Sequence, residues 1–214
     1  MSASERERAR RFKFIKDYKL YVTGKVLARK IIAGKYKIRP EDIRFACDEF
    51  DRPFLRCPKP GNFDFNLSHS GDYVVLAVSN RRVGVDIEKV KPIDLEVSRE
   101  CFHKKEIAYL YAGSQDELNR FYRIWTLKES FVKAVGRGLS YPLKSFYFLF
   151  DYAKSPHLNL IKTEQADIGY FFHELPVHDS YRLALCASAG QDPVLYDGNF
   201  AGYYSASYGN PIAN

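Results

Sequence analysis

Two carboxylates at alternate positions of one short stretch are the first residues of the chain that could do chemistry. Within residues 83–88, the apolar Val85 and Ile87 alternate with the acidic Asp86 and Glu88. On a β-strand, Asp86 and Glu88 therefore point to the same face. Neighbouring carboxylates repel each other unless solvent or a cation neutralises them, and hard divalent cations take oxygen ligands. Taken alone, the stretch is best explained as an edge strand with a solvated face.

A second set of charged residues has helical spacing. Residues 125–133 read Trp-Thr-Leu-Lys-Glu-Ser-Phe-Val-Lys, so Glu129 and Lys133 lie four residues apart on one helical face, and Trp125 lies one turn earlier on that side. Such a pair is usually an ordinary surface ion pair, which contributes about 0.2–0.5 kcal/mol. By its spacing alone, the pair indicates a helix rather than a site.

A third stretch combines hydroxyl and imidazole groups just before a turn. Residues 65–71 read Phe-Asn-Leu-Ser-His-Ser-Gly. Ser68, His69 and nearby backbone N–H groups can all donate hydrogen bonds to phosphate oxygens, although a single histidine in a turn is usually only solvated. Adjacent residues on a strand point to opposite faces, so Ser68 and His69 cannot form a nucleophile–base pair.

Charge is distributed unevenly along the chain. Residues 1–40 hold 13 Lys and Arg against three Asp and Glu, a charge of +10 that leaves −3 for the remainder of a chain whose net charge is +7. A basic N-terminal segment is suited to an anionic partner. Nucleic acid, an acidic protein surface and a phosphorylated small molecule all fit this charge.

Composition indicates a globular, cytoplasmic protein. The 214 residues, 46% of them hydrophobic, can form a sizeable core. We find no apolar run long enough to span a membrane and no apolar signal-peptide core at the N-terminus. The cysteines at positions 47, 57, 101 and 186 are too widely spaced for a zinc motif, so we expect reduced, mostly buried thiols.

Hydrophobic periodicity predicts an order of helix, strands, helices and strands. The predicted helices span 5–33, with Gly34 as C-cap, 94–102, 104–112 and 116–135. The predicted strands span 43–47, 63–67, 73–79, 83–88, 146–150, 168–172 and 181–185, with turns or loops at 51–53 and 58–61. The fold class is therefore α+β, in two halves that each have an antiparallel sheet and a long helix. We divide the chain into 1–95, 96–190 and an irregular, mobile tail at 191–214.

The three stretches in this order resemble the motifs of the Sfp-type 4′-phosphopantetheinyl transferases. The matching residues are 67–70, 84–88 and 125–133, and the resemblance extends from about Arg10 to Cys186. Each motif is weak by itself, whereas their order and separation are specific. Weaker agreement comes from Arg10-Arg11-Phe12, residues 43–45, Arg52-Pro53 and residues 91–93.

The resemblance implies a fold and a set of site residues. It implies two α/β halves related by a pseudo-twofold axis, with the active site in the cleft between them, and it implies magnesium and coenzyme A. The implied metal ligands are Asp86, Glu88 and Glu129. Phosphates of coenzyme A would be bound by Ser68, His69, Lys133 and Arg52, the last in place of the family's lysine. Glu106 matches a further acidic position near the site.

The N-terminal region departs from the family in two ways. Leu20 stands where the family has an arginine for the nucleotide end of coenzyme A, so we expect Lys19 to substitute. The chain begins almost at the basic helix, where the family has a preceding strand, so we expect the first half to lack an edge strand. Arg8, Arg10 and Arg11 would hold the 3′-phosphate of coenzyme A or face an acidic carrier protein.

The implied function is transfer of 4′-phosphopantetheine from coenzyme A to a serine of an apo-carrier protein, with release of 3′,5′-ADP. Glu129 is the expected general base and Lys133 the expected stabiliser of developing charge, with Mg²⁺ as cofactor. We expect an acidic carrier protein as partner, no nucleic acid or membrane partner, and a monomer.

Two alternatives remain open at this stage. A metal-dependent nuclease would use Asp86 and Glu88, but such sites commonly place a lysine two residues after the acid on the same strand face. Here that position is Val90, and Lys89 faces the other way. A non-enzymatic basic binding module would explain the N-terminal charge but would leave the three carboxylates as a coincidence.

Overall fold

The computed structural model of the protein describes residues 1–59, 61–113, 116–150, 157–160 and 169–188. The helices in these ranges are α1 (Ala3–Arg10), α2 (Ile15–Tyr36), α3 (Ser98–Cys101), α4 (Lys104–Leu110) and α5 (Glu117–Val135). The strands are β1 (Arg44–Cys47), β2 (Pro53–Cys57), β3 (Asp64–Ser70), β4 (Tyr73–Ser79), β5 (Val83–Lys89), β6 (Phe146–Leu149), β7 (His157–Leu160), β8 (Phe171–Glu174) and β9 (Tyr181–Ala187). Short 3₁₀ turns lie at Pro40–Asp42, Leu95–Val97, Gly138–Ser140 and Leu143–Ser145.

The strands form small antiparallel sheets that pack on the two long helices. β1 pairs with β2, β3 with β4, and β6 with β7, while β9 lies between β5 and β8. Helix α5 packs across β5 and β9, and α2 packs on β4. The α+β class with antiparallel sheets is therefore confirmed, and the pseudo-twofold relation of the halves stays a prediction. The predicted boundary at residue 95 also stays a prediction, although β5 pairs with β9 of the second half.

Helix α5 lies directly on β5 because residue 84 is glycine. A Cβ atom at Gly84 would lie 2.0 Å from the carbonyl oxygen of Ser130 and 2.4 Å from the amide nitrogen of Ala134. Both atoms belong to the helix backbone, so no side-chain movement could make room for a methyl group. Both faces of β5 are therefore largely buried. Helix α5, rather than solvent, covers the face that carries the acidic side chains. β5 does lie at the edge of its three-stranded sheet, but the expectation of a solvated face is wrong, since Asp86 is only 3% exposed.

A row of polar side chains on β3 joins the sheet β3–β4 to β5. Each of these side chains accepts a hydrogen bond from a backbone N–H group of β5, with donor–acceptor distances of 2.9, 2.9, 3.3 and 3.0 Å. We call this row the polar ladder; its rungs are Asp64 to Val83, Asn66 to Val85, Ser68 to Ile87 and Ser70 to Lys89. It satisfies backbone donors of β5 that the pairing with β9 leaves free. The ladder fixes the position of Ser68 and Ser70 relative to the carboxylates of β5.

The N-terminal region differs from the single predicted helix. The chain leaves helical geometry at residues 11–14, between α1 and α2, and α2 continues past Gly34 to end where Lys37 adopts a left-handed conformation with φ of 53°. Gly24 does not interrupt α2 and is buried, where a Cβ atom would lie 3.6 Å from side-chain atoms of Leu67 and Val74. Helix α1 is held to α2 by Glu5, whose carboxylate accepts two hydrogen bonds from Arg29, at 2.7 and 3.2 Å.

Other differences are local. The predicted turn at 51–53 runs into β2, which begins at Pro53, and the predicted helix 94–102 is a 3₁₀ turn followed by the short α3. Strand β7 was not predicted, and the predicted tail lies outside the described residues. All four cysteines are free, but Cys47 and Cys57 are exposed rather than buried. Among the described helices, none has the length and apolar character needed to cross a bilayer.

Replacing Gly84 by alanine tests the contact between α5 and β5. We expect Gly84→Ala to lower the free energy of unfolding by about 3 kcal/mol or more, at the upper end of overpacking effects, because two backbone segments must separate. Gly34→Ala is the control, since a Cβ atom there meets nothing within 4 Å. In a helix interior that change should be neutral or stabilising by up to about 1 kcal/mol. Urea unfolding measures both, and equal effects would contradict the close contact.

Candidate active site

The three stretches singled out in the sequence meet around one cavity. Strand β3, strand β5 and helix α5 each contribute to a cavity of about 290 Å³. Its lining consists of Leu67, Ser68, His69, Asp86, Glu88, Trp125, Glu129 and Lys133. Residues separated by more than sixty positions in the sequence thus share one concave surface, which carries three carboxylates and one lysine.

Asp86 lies at the centre of the hydrogen bonds in this cavity. Its Oδ1 atom accepts from Lys133 Nζ at 2.6 Å and from the Ser68 hydroxyl at 3.0 Å. Lys133 Nζ also donates to Ser68 Oγ at 3.1 Å and to the carbonyl oxygen of Val85 at 3.2 Å. Lys133 therefore pairs with Asp86 on β5, and the helix-surface pair with Glu129 suggested by the sequence is wrong.

Burial and mutual repulsion make the three carboxylates harder to ionise. Burial raises the pKa of Asp86, and the ammonium group of Lys133 opposes that rise. Burial also raises the pKa of Glu88, where the hydrogen bond from Ser70 opposes the rise and the charge of Asp86 adds to it. The pKa of Glu129 is raised by burial and by Asp86. At Asp86 the ammonium of Lys133 does not outweigh burial, and neither Glu88 nor Glu129 forms an ion pair with a cationic side chain among the described residues.

Two carboxylate oxygens in the cavity bear on which ligand it could bind. Asp86 Oδ2 and Glu129 Oε1 are buried without a hydrogen-bond partner among the residues that the structure describes. Buried acceptors of this kind cost free energy, and oxygen-rich acidic groups are the ligands that Mg²⁺ takes. The described part of the chain contains no preassembled group of three His, Cys, Asp or Glu side chains placed to hold a metal. The donor set fits a divalent cation nonetheless, with Asp86, Glu88 and Glu129 as the residues that would hold it.

His69 and Trp125 form parts of the cavity wall. His69 is exposed on β3 and contributes to the lining of the cavity. Trp125 is half-buried and stacks nearly parallel to Phe121, with ring centroids 6.2 Å apart. The cavity therefore has one polar, accessible rim and one rigid aromatic wall.

Arg52 faces protein groups rather than the cavity. Its guanidinium donates to both carboxylate oxygens of Asp64, at 2.9 and 2.7 Å. It also donates to the carbonyl oxygens of Lys133 and Val83, each at 3.1 Å. Arg52 thus clamps β3, β5 and α5 together and is only 7% exposed. Its contact with coenzyme A stays a prediction.

Glu106 also lies outside the cavity lining. Its carboxylate accepts two hydrogen bonds from Lys128 Nζ, at 3.0 and 2.8 Å, and both side chains are fully buried. The backbone N–H groups of His103 and Phe148 donate to the same carboxylate, while Lys128 donates to the carbonyl oxygen of Phe146. Every strong donor and acceptor of this pair is satisfied, so it joins α4, α5 and β6 as a structural unit.

The structure does not bring the N-terminal basic residues to the carboxylates. Arg8 lines a separate cavity of about 580 Å³, together with Ser4, Glu7, Arg11 and Phe12. The lining residues of the two cavities, all of them described, do not overlap. Lys19 is exposed on α2. The proposed roles of Arg8 and Lys19 in nucleotide binding stay predictions.

Ser70 was not singled out as a site residue by the sequence. Its hydroxyl donates to Glu88 Oε2 at 2.7 Å. The signal that could have identified it is its spacing, because Ser68 and Ser70 lie two residues apart on β3 and so point to one face.

Comparisons with known proteins agree on one family. The family model described as the 4′-phosphopantetheinyl transferase superfamily matches residues 82–186, and the model described as the 4′-phosphopantetheinyl transferase N-terminal region matches residues 1–81. The chain is 36% identical over 197 residues to the 4′-phosphopantetheinyl transferase Sfp of Bacillus subtilis strain 168, covering 88% of this chain and 82% of that protein. It is 37% identical over 194 residues to the Bacillus subtilis 4′-phosphopantetheinyl transferase ffp, covering 90% and 84%.

A solved structure gives a weaker match. The holo-[acyl-carrier-protein] synthase of Thermotoga maritima matches with a TM-score of 0.43 and 22% sequence identity, over 49% of this chain and 60% of that one. This likeness is too low to support an argument about the site.

The buried pair of Glu106 and Lys128 makes a testable contribution to stability. We expect Glu106→Leu to lower the free energy of unfolding by about 3–5 kcal/mol, because it leaves a buried ammonium without its counter-charge. The double variant Glu106→Leu/Lys128→Met should recover part of that loss. Glu7→Ala, which breaks an exposed ion pair with Arg11, is the control and should change little. Thermal and urea unfolding measure all three, and a single variant as stable as the control would contradict the role of the pair.

Proposed function

Because the chain belongs to the 4′-phosphopantetheinyl transferase superfamily, we propose that it transfers the 4′-phosphopantetheine group of coenzyme A to a serine hydroxyl of an apo-carrier protein. The reaction would depend on Mg²⁺ and release 3′,5′-ADP. The observation that carries this proposal is the convergence of Asp86, Glu88, Glu129 and Lys133 on one cavity.

Glu129 is the proposed general base. In the reaction, the serine oxygen forms a bond to the phosphorus next to pantetheine, and the bond from that phosphorus to the 3′,5′-ADP oxygen breaks. The serine proton must leave, and Glu129 can take it directly or through a water. Burial and the charge of Asp86 raise the pKa of Glu129 in the protein without a metal, whereas a bound Mg²⁺ would lower it, so the place of this carboxylate in the cavity, and not its pKa, supports the role of base. Its Oε1 atom, buried without a hydrogen-bond partner within the described part of the chain, is the candidate acceptor.

Lys133 and His69 are proposed to bind phosphate oxygens. Lys133 keeps 26% of its side chain exposed while paired with Asp86, so it can reach a ligand in the cavity. An ammonium and an imidazole at one rim would stabilise charge that develops on the leaving phosphate. Mg²⁺ bound by Asp86, Glu88 and Glu129 would supply the main neutralisation of the pyrophosphate.

The N-terminal region is proposed to hold the remainder of coenzyme A and to attract the carrier protein. Arg8 and Lys19 are the candidate ligands for the nucleotide end and Ser68 for an inner phosphate, while the contact of Arg52 with coenzyme A stays a prediction. The charge of +10 on residues 1–40 favours an acidic carrier surface. Nucleic acid and membrane are not proposed as partners.

A monomer is proposed as the active unit, because one chain supplies β3, β5 and α5 to the same cavity. The predicted division into 1–95, 96–190 and a tail at 191–214 is retained. The four cysteines are free thiols, which fits a cytoplasmic location. A nuclease has less support, because the lysine beside Asp86 comes from α5 and not from the same strand.

Mass spectrometry of a carrier protein tests the proposed reaction. Incubation of apo-carrier protein with coenzyme A and Mg²⁺ should add one phosphopantetheine to the serine. We expect Glu129→Gln to slow this transfer by about 100-fold or more, the usual effect of losing a general base. Glu117→Gln, a carboxylate change at the other end of the same helix, is the matched control and should leave the rate unchanged. An unmodified carrier with the wild-type protein, across carrier proteins of several classes, would contradict the proposed function.

Salt tests the proposed attraction between the basic N-terminal region and the carrier. We expect the KM for an acidic carrier to rise as ionic strength increases toward about 0.15 M, because the Debye length falls to about 8 Å there. The kcat should change little. Steady-state kinetics measure both constants, and a KM that does not respond to salt would contradict electrostatic attraction.

A further inference from the structure

Ser70 repeats, two residues along β3, the hydrogen-bond arrangement of Ser68. Ser68 Oγ accepts from the N–H group of Ile87 and donates to Asp86, at 3.3 and 3.0 Å. Ser70 Oγ accepts from the N–H group of Lys89 and donates to Glu88, at 3.0 and 2.7 Å. In both cases one hydroxyl joins a backbone N–H group of β5 to the carboxylate immediately before it.

The direction of these hydrogen bonds follows from the chemistry of the hydroxyl group. A serine hydroxyl has one proton to donate, and a backbone N–H group can only donate to it. The proton of Ser70 is therefore free for Glu88, whose ionised carboxylate can only accept. A charge-assisted hydrogen bond of this kind is short and strongly oriented, which agrees with the distance of 2.7 Å.

In the polar ladder, the side chain from β3 is a hydroxyl only where an acidic residue immediately precedes the N–H donor in β5. At the rung of Asn66, the amide oxygen accepts from Val85 and the preceding residue of β5 is Gly84, which has no side chain to orient. At the next two rungs the preceding residues are Asp86 and Glu88, and the ladder residues are serines. To join the two sheets, a ladder side chain needs only to accept a hydrogen bond from an N–H group of β5. To orient a carboxylate of β5, it must also donate one, which a hydroxyl can do.

We propose that Ser70 is a positioning residue that holds the Glu88 carboxylate in the orientation required to bind a divalent cation. This inference rests on the proposed function, because it takes Glu88 as a metal ligand. Among the described residues, Ser70 supplies the hydrogen bond that the Glu88 carboxylate accepts. Ser70 binds only Oε2 of Glu88, which leaves Oε1 available to a cation. The hydrogen bond from Lys89 fixes the position of Ser70 itself. Ligand carboxylates are commonly held by such outer partners, whose loss weakens metal binding by about 10–100-fold.

The test compares two variants of the same shape. Ser70→Thr keeps the hydroxyl group, and Ser70→Val replaces it with a methyl group of similar size. Both residues are β-branched and favourable in strands, so both variants are expected to fold at the half-buried position 70. Asn66→Ala is the control, because it removes a ladder hydrogen bond that touches no carboxylate.

The measurement uses Mn²⁺ alone as the probe. Trp125 is the single tryptophan of the chain and lines the same cavity, so bound Mn²⁺ should quench its fluorescence. We expect Ser70→Val to weaken Mn²⁺ binding about tenfold, Ser70→Thr to bind within about twofold of the wild type, and Asn66→Ala to lose stability without losing Mn²⁺ affinity. In the transfer assay, Ser70→Val should need more Mg²⁺ for half-saturation and recover kcat at high Mg²⁺.

The possible outcomes separate this inference from the proposed function. Wild-type affinity for Mn²⁺ in Ser70→Val would overturn the positioning role while leaving the metal site intact. An equal loss of Mn²⁺ affinity in Asn66→Ala would also overturn the positioning role. The loss would then come from weakening the connection between β3 and β5, and not from the hydrogen bond to Glu88. Failure of Mn²⁺ to bind the wild-type protein, with or without coenzyme A, would overturn the proposed metal site and this inference with it.

Discussion

The contact of helix α5 with strand β5 at Gly84 is the constraint on which the site depends. The helix backbone occupies the volume that any side chain at position 84 would need. This approach places Lys133 within 2.6 Å of Asp86 and brings Glu129 to the same cavity. The polar ladder then adds β3 to the other edge of β5, and Arg52 connects all three elements. The cavity is therefore the meeting point of three elements rather than a feature of one.

The two neighbouring charged residues of α5, Lys128 and Glu129, have opposite surroundings. Lys128 is fully buried, and its ammonium donates to Glu106 and to a backbone carbonyl, so all its protons are used. Glu129 has a buried oxygen without a partner among the described residues and shares its cavity with two further carboxylates. A satisfied buried pair stabilises one arrangement of the fold, whereas unsatisfied buried charge lowers stability and is suited to binding. One helix thus carries a satisfied buried charge at Lys128 and, at Glu129, a carboxylate that is left open for the proposed binding role.

Much of the fold and of the site could be predicted from the sequence. Period-two alternation located β3, β5 and β9, and helical spacing located α5, because these elements bury one regular face. A run of β-branched and apolar residues located β4. The metal-ligand candidates followed from residue type, spacing and resemblance, and the three stretches that carry them do meet. Prediction failed where local signals were overridden. Gly34 is a typical helix end, yet α2 continues past it to Tyr36. The turn residues before Pro53 gave no signal for β2, which begins there.

The sequence by itself determined which residue types are available and which face of each element they occupy, because strand and helix periods depend only on backbone geometry. The tertiary structure alone decided the partners. It paired Lys133 with Asp86 instead of Glu129, and it buried Glu106 with Lys128 outside the cavity. It also committed Arg52 to Asp64 and backbone carbonyls, and it placed the Ser70 hydroxyl on Glu88. These pairings depend on distances between elements far apart in the chain, and those distances are set by the packing of α5 on β5.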